Sequence, residues 1–150
     1  MKEPELDIVL NWWRSLENDK GSRAELRRAR SATEVVFSPA YHRLFKELPQ
    51  VDKEGLACAA GLCSHVKENT IEVSLAEQMA AGGDKSQVSG LRFRRLLAIN
   101  SREELYHSMI RIIRLLNGMV NVRDLAKTVY WWNEKTKKHL AYDYYAKAKE

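Results

Sequence analysis

No apolar run in this 150-residue chain approaches the roughly 18–20 residues that a membrane span requires. The opening "MKEPELD" is acidic and lacks the apolar stretch of a secretory signal, so a cytoplasmic protein is expected. Cysteine is scarce: Cys58 and Cys63 are the only two. Five positions apart on a helix they point about 140° from each other, which suits neither a disulfide nor a shared metal. Small buried thiols are the expected role. The histidines His42, His65, His107 and His139 are scattered, with no H-x-x-x-H pair and no C-x-x-C. Gly82-Gly83 run into Asp84-Lys85 rather than GK[ST], so no phosphate loop is present. Carboxylates stand singly, mostly in first helical turns where the helix dipole favours them, or at exposed helix positions. Neither a cofactor nor a metal is expected, and the chain does not read as an enzyme.

Period-two alternation is also missing, which argues against strands. What is present is helical. "PELDIVLNWWRSLEND" places Leu6, Val9, Leu10, Trp13 and Leu16 on one stripe, and Gly21 follows as a stop. S-x-x-E capping boxes are expected at Ser22/Glu25, Ser31/Glu34, Ser74/Glu77 and Ser101/Glu104, and Ser38-Pro39 marks a further helix start. "AAGGDKSQVSG" at 80–90 is the one clear linker. The expected fold is all-α, a helical bundle in two packed halves, with residues 1–80, a linker at 81–88 and residues 89–150.

Charge divides along the same line. Residues 1–80 hold 11 basic and 13 acidic side chains, a net of −2, and residues 81–150 hold 14 and 7, a net of +7. Such asymmetry points to a surface that meets a polyanion. Outside that half the basic residues concentrate in "GSRAELRRAR", where Arg23, Arg27 and Arg30 are expected on one helix face and Arg28 about 100° away from Arg27. "GLRFRRLLA" adds Arg92, Arg94 and Arg95, with Phe93, Leu96 and Leu97 on the other side. After Ser101, a buried stripe of Leu105, Met109, Ile112 and Leu116 faces away from His107, Arg111 and Arg114. A single terminal helix is expected to bury Val122, Leu125, Val129, Trp132 and Leu140. Its other side carries Lys127, Trp131, Lys135, Lys138, Tyr142, Tyr145 and Lys149. Lysine between aromatics suits single-stranded nucleic acid, with phosphates neutralised and bases stacked, while the same aromatics equally suit packing on a neighbouring helix or subunit. No base-reading pattern accompanies these faces, so binding is expected to be dominated by the phosphate backbone.

"WWRSL", "GSRAELRRARS" and "SPAYHRL", then "VSGLRFRRLLA", "EELYHSMIRIIRLL" and "VNVRDLAKTVYWWN", in this order, resemble the CasB family. The resemblance implies a non-catalytic small subunit of the type I-E CRISPR surveillance complex, Cascade. It also implies a second copy of the chain in the complex, beside the crRNA-bearing backbone subunits and the large subunit. The basic surface would stabilise the R-loop by holding target DNA, both its target strand and the displaced one, while the guide RNA reads sequence. By resemblance Arg27 and Arg28 match the family's "LRR" position, Arg28 most directly. Arg95 matches the basic residue before "LLA", and Arg111 and Arg114 fall in the basic helix. Lys135, Lys137 and Lys138 follow the paired tryptophans where relatives carry basic residues, often arginine. Lysine there favours point-charge attraction over bidentate contacts. Arg23, Arg92 and Arg94 come from the residue pattern alone. A protein-interaction scaffold, its basic faces docked on acidic partners, is the alternative function.

Overall fold

A computed structural model describes residues 1–148 of the chain. Helix α1 (Glu3–Ser15) starts with Pro4 in its first turn and with the Lys2 N–H donating to Glu5 at 2.8 Å. It buries Leu6, Val9, Leu10 and both Trp12 and Trp13, and passes through a tight turn at Leu16–Asn18 into α2 (Lys20–Arg28). The bounds of α2 differ from those the pattern predicts. Asp19 caps α2 by accepting from the Ser22 N–H at 3.2 Å, so Ser22 and Gly21 both lie in the helix's first turn and Gly21 does not stop its predecessor. An aspartate three residues upstream reached the free N–H first. The helix also ends at Arg28. Arg30 therefore leaves the expected Arg23/Arg27 stripe and pairs with Glu34 at 3.3 Å.

Short helix α3 (Ala32–Val35), α4 (Pro39–Glu47) and α5 (Lys53–Cys63) follow. Ser31 and Ser38 cap α3 and α4, although Glu34 closes on the Arg30 N–H instead of completing a box. Every residue of α5 from Gly55 to Cys63 is buried. Its small side chains let neighbours approach closely. A Cβ at Gly55 would stand 2.7 Å from the Tyr130 ring, and one at Gly61 would stand 2.5 Å from Tyr106 Oη. Cys58 and Cys63 are free and buried here, and burial pushes both thiols up to about 12.

A two-residue strand β1 (Glu68–Asn69) pairs in parallel with β2 (Met119–Val120), a minor departure from a strandless expectation. Between them lie α6 (Leu75–Ala80), α7 (Gly90–Leu97) and α8 (Arg102–Leu115). Ser74 and Glu77 form the full capping box expected of them, whereas Ser101 caps α8 from one side only. Helix α8 ends in a left-handed turn: Asn117 has φ 59°, and the Gly118 N–H reaches back to the Ile113 carbonyl at 2.9 Å. This turn delivers β2 beside β1.

The expected single terminal helix is two, α9 (Val122–Tyr130) and α10 (Glu134–Lys147). Asn133 makes the break by accepting from the Thr136 N–H at 2.9 Å, and the Trp132 indole N–H donates to the Ile99 carbonyl at 2.9 Å. Lys149 lies outside the described residues. Helix α9 packs on α5 and α1, and α10 packs on α6, so the segments before and after the 81–89 loop share one core. Stacking of Phe93 on Tyr144, with centroids 3.9 Å apart, and a Tyr144 hydroxyl donating to the Val88 carbonyl at 2.5 Å join α7 to α10.

Candidate nucleic-acid interface

Two populations stand out among the arginines. Arg30, Arg43, Arg102 and Arg123 are paired with carboxylates, Arg102 with Asp52 at 3.0 Å and Arg123 with Glu3 and Asp7 of α1. Arg28, Arg92, Arg94, Arg95, Arg111 and Arg114 make no side-chain hydrogen bond or ion pair with any described residue, and all are exposed. An exposed helix face ordinarily mixes both signs, and guanidinium groups left without carboxylates are open to phosphate.

Two of the expected faces meet. Ser89 caps α7, and burial of Phe93 and Leu96 turns Arg92 and Arg95 toward α8. On α8, burial of Leu105, Met109 and Ile112 leaves His107 and Arg111 on the side that faces α7. Arg92, Arg95, His107 and Arg111 thus line one groove of about 700 Å³, with Ile99 and Leu115 in its wall and Glu104 as its single acid. Arg94, also exposed, does not line it.

A second cluster was invisible in the sequence. The Arg23 guanidinium donates to the carbonyls of Ser64 (3.3 Å) and Val66 (2.5 Å), and Arg27 donates to Ser64 at 3.0 Å. Both therefore clasp the carbonyl end of α5, where a helix carries its partial negative charge. His65 sits in the same turn with a buried Nε2 that has no hydrogen-bond partner among the described residues. Burial first, then the positive charges of Arg27, Arg114 and Arg23, hold its imidazole down to about 4. Three guanidinium groups from α2 and α8 thus converge on a neutral histidine. His65 escaped notice because its neighbours are some forty positions away on either side; nothing local marks it.

Arg28 points elsewhere. It lines a groove of about 450 Å³ with Glu25, Glu34 and Phe37, the last 79% exposed. The lysines of α10 also diverge. Lys137 donates to Asn100 Oδ1 at 2.8 Å and lies over the Trp132 ring at 5.4 Å. Lys138 is 3.9 Å from Glu134, an exposed pair that contributes little. Lys135 lines a separate cavity between α9 and α10 with Lys127 and Trp131. Of the aromatics, Tyr145 sets its ring edge-on to Phe93, while Tyr142 is 81% exposed and Trp131 49%. Among the described residues no group of three or more His, Cys, Asp or Glu is placed to hold a metal ion, and no helix is long and apolar enough to cross a membrane.

No curated protein sequence matches this chain significantly. Solved structures share its fold. A chain of E. coli Cascade, crystallised on a PAM-containing double-stranded DNA target, superposes with a TM-score of 0.73 at 19% identity, over 93% of each chain. CasB from Thermus thermophilus superposes with a TM-score of 0.73 at 18% identity, over 97% of this chain and 99% of that one. The family described as CRISPR-associated protein Cse2 matches residues 22–145, most of the chain and all the basic faces just described, and the chain belongs to that family.

Proposed function

We propose that this chain is a non-catalytic small subunit of a CRISPR RNA-guided surveillance complex that grips nucleic acid without reading its sequence. Its partners are crRNA and both strands of the target DNA in the R-loop, a second copy of itself, and the backbone and large subunits of the complex, in the cytoplasm. The observation that carries this reading is the set of unpaired arginines, above all the α7–α8 groove where Arg92, Arg95 and Arg111 meet with one acid. Planar guanidinium groups that cannot lose their charge suit phosphodiesters, and strand exchange in an R-loop is nearly balanced, so protein–backbone contacts tip it. Arg114, Arg23 and Arg27 add positive charge around His65, between α8 and α2. Arg28, Arg94, Lys135, Lys137 and Lys138 are kept as further contacts, Lys137 the least available because Asn100 already engages it.

Titrating the protein with single- and double-stranded DNA at rising salt is the direct test. Affinity should fall about 10³-fold or more between ~50 and ~200 mM salt if six or more phosphates are engaged, and a salt-independent affinity would remove the phosphate reading. In the assembled complex, Arg111→Ala with Arg114→Ala should speed R-loop loss while the variant keeps its melting temperature.

One observation favours a second role for one face. Phe37, largely exposed beside Arg28, Glu25 and Glu34, makes an apolar and mixed-charge groove of the kind that meets protein. Crosslinking from position 28 in the DNA-bound complex should yield protein adducts if this face docks a subunit, and DNA adducts if Arg28 holds a strand.

A further inference from the structure

The cavity between α9 and α10 has a different chemistry from the arginine groove. It encloses about 610 Å³, within the range of small-ligand pockets, and Trp131 at the helix break presents a half-exposed indole to it. Lys127 and Lys135 supply two positive charges and Asp124 and Asp143 two negative ones, and His139, Asn133, Thr128 and Thr136 make up the rest of the polar lining. A bare phosphate gains little from such a balanced set. A planar group with donors on one edge and acceptors on another gains from all of it.

Asp124 is fixed in place by accepting from the Leu75 N–H at 2.6 Å, while Asp143 makes a long, exposed contact with the Ser74 hydroxyl at 3.4 Å, so both lie against the start of α6 with acceptor capacity left over. The Thr136 hydroxyl donates to the Trp131 carbonyl, and the Tyr130 ring stands edge-on to the indole at 4.9 Å, which fixes the platform. Lys127 and Lys135 have no ion pair among the described residues.

We infer that this cavity receives one unstacked nucleobase of a bound single strand, stacked on Trp131 and held at its edges by the lysines and aspartates. The inference rests on the nucleic-acid reading and adds a base site to a phosphate surface. Stacking accepts any base, and guanine uses the rest of the lining best. Its O6 and N7 accept from lysine, while its N1–H and amino group donate to carboxylate.

The test compares a short oligothymidylate with the same strand carrying one central guanine, and with one carrying an abasic site, at fixed salt. The guanine strand should bind more tightly and the abasic strand more weakly, by about fivefold or more per lost stacked base. Trp131→Ala should erase these differences, and Trp131→Phe should restore part of them by keeping an aromatic face. In ¹⁵N-labelled protein the Trp131 indole N–H should shift on adding guanosine monophosphate, while that of buried Trp12 stays still. If the wild type binds the strands, and Arg95→Ala with Arg111→Ala weakens all of them equally, but neither the base nor Trp131 matters, the base site is wrong and the phosphate surface stands. If the folded wild type binds no strand, both fall together.

Discussion

Two glycines show how much one methylene means in this chain. At Gly61 an added Cβ would lie 2.5 Å from Tyr106 Oη and 2.6 Å from Val35 Cγ2, both on buried side chains with no room to retreat. Overpacking costs about 1–3 kcal/mol, more than the roughly 0.5–1 kcal/mol gained by removing a glycine from a helix. Gly61→Ala should therefore lower the melting temperature. At Gly21, in the first turn of α2, nothing lies within 4 Å of the added Cβ, and Gly21→Ala should raise it. Thermal melts of the two variants, with shifts of opposite sign, check this. His65 adds a pH dependence at the same scale. Its folded value near 4 lies below the ordinary 6.5, so the unfolded chain takes up the proton first as pH falls. Stability is then fully present above about pH 6.5 and declines toward pH 4. Urea melts across that window should show the decline, and His65→Gln should lessen it most above about pH 5, since the lowered carboxylates Glu5, Asp19, Glu34, Asp52 and Glu77 add their own loss nearer pH 4. The cysteines were legible from their spacing and neighbours. His65 was not, because its perturbers come from α2 and α8 and only the fold brings them together.

Caps and breaks decide which basic residues share a face. Helix starts at Ser31, Ser38, Ser74 and Ser101 are legible in the sequence, because a serine there accepts from the N–H that the first turn leaves free. The start of α2 is not, because Asp19 and Ser22 are both good caps and the pattern favours the one with a glutamate three residues on. Nor is the break between α9 and α10, because Trp132 continues the apolar period of α9 across the junction. Trp132 is held there by its indole bond to Ile99, outside both helices. The break has a consequence: it opens the cavity beside Trp131 and swings Lys135 toward Lys127. Asn133→Ala removes the cap that starts α10, at a cost of about 0.5–2 kcal/mol. Amide hydrogen exchange should then speed up in residues 134–137 while α9 and α5 keep their protection. Uniform destabilisation of all three helices would show that α10 is not a separable element.

Across the whole molecule, the division between paired and unpaired arginines makes a quantitative forecast about polyanion binding. Total charge alone would make every arginine equivalent, since removing any one lowers the net +5 by one. Local pairing makes them unequal. Arg30 and Arg43 each already neutralise a carboxylate, so their loss frees an acid and removes no phosphate contact. Arg95 and Arg111 face one groove without a carboxylate of their own. Each phosphate they engage releases counterions and contributes about 0.7 to the slope of log affinity against log salt for a single strand, or about 0.9 for a duplex. Arg95→Ala with Arg111→Ala should therefore reduce the steepness of that plot by about 1.4 to 1.8. Arg30→Ala with Arg43→Ala, an identical change in net charge, should leave the slope where it was. Isotherms at four or five salt concentrations on the folded variants separate the outcomes. Equal slopes for the two pairs would mean that long-range charge, rather than the α7–α8 groove, attracts the strand. A smaller slope only for the groove pair would fix the strand's path across α7 and α8, where the second, positively charged half of the sequence folds back onto the core shared with the first.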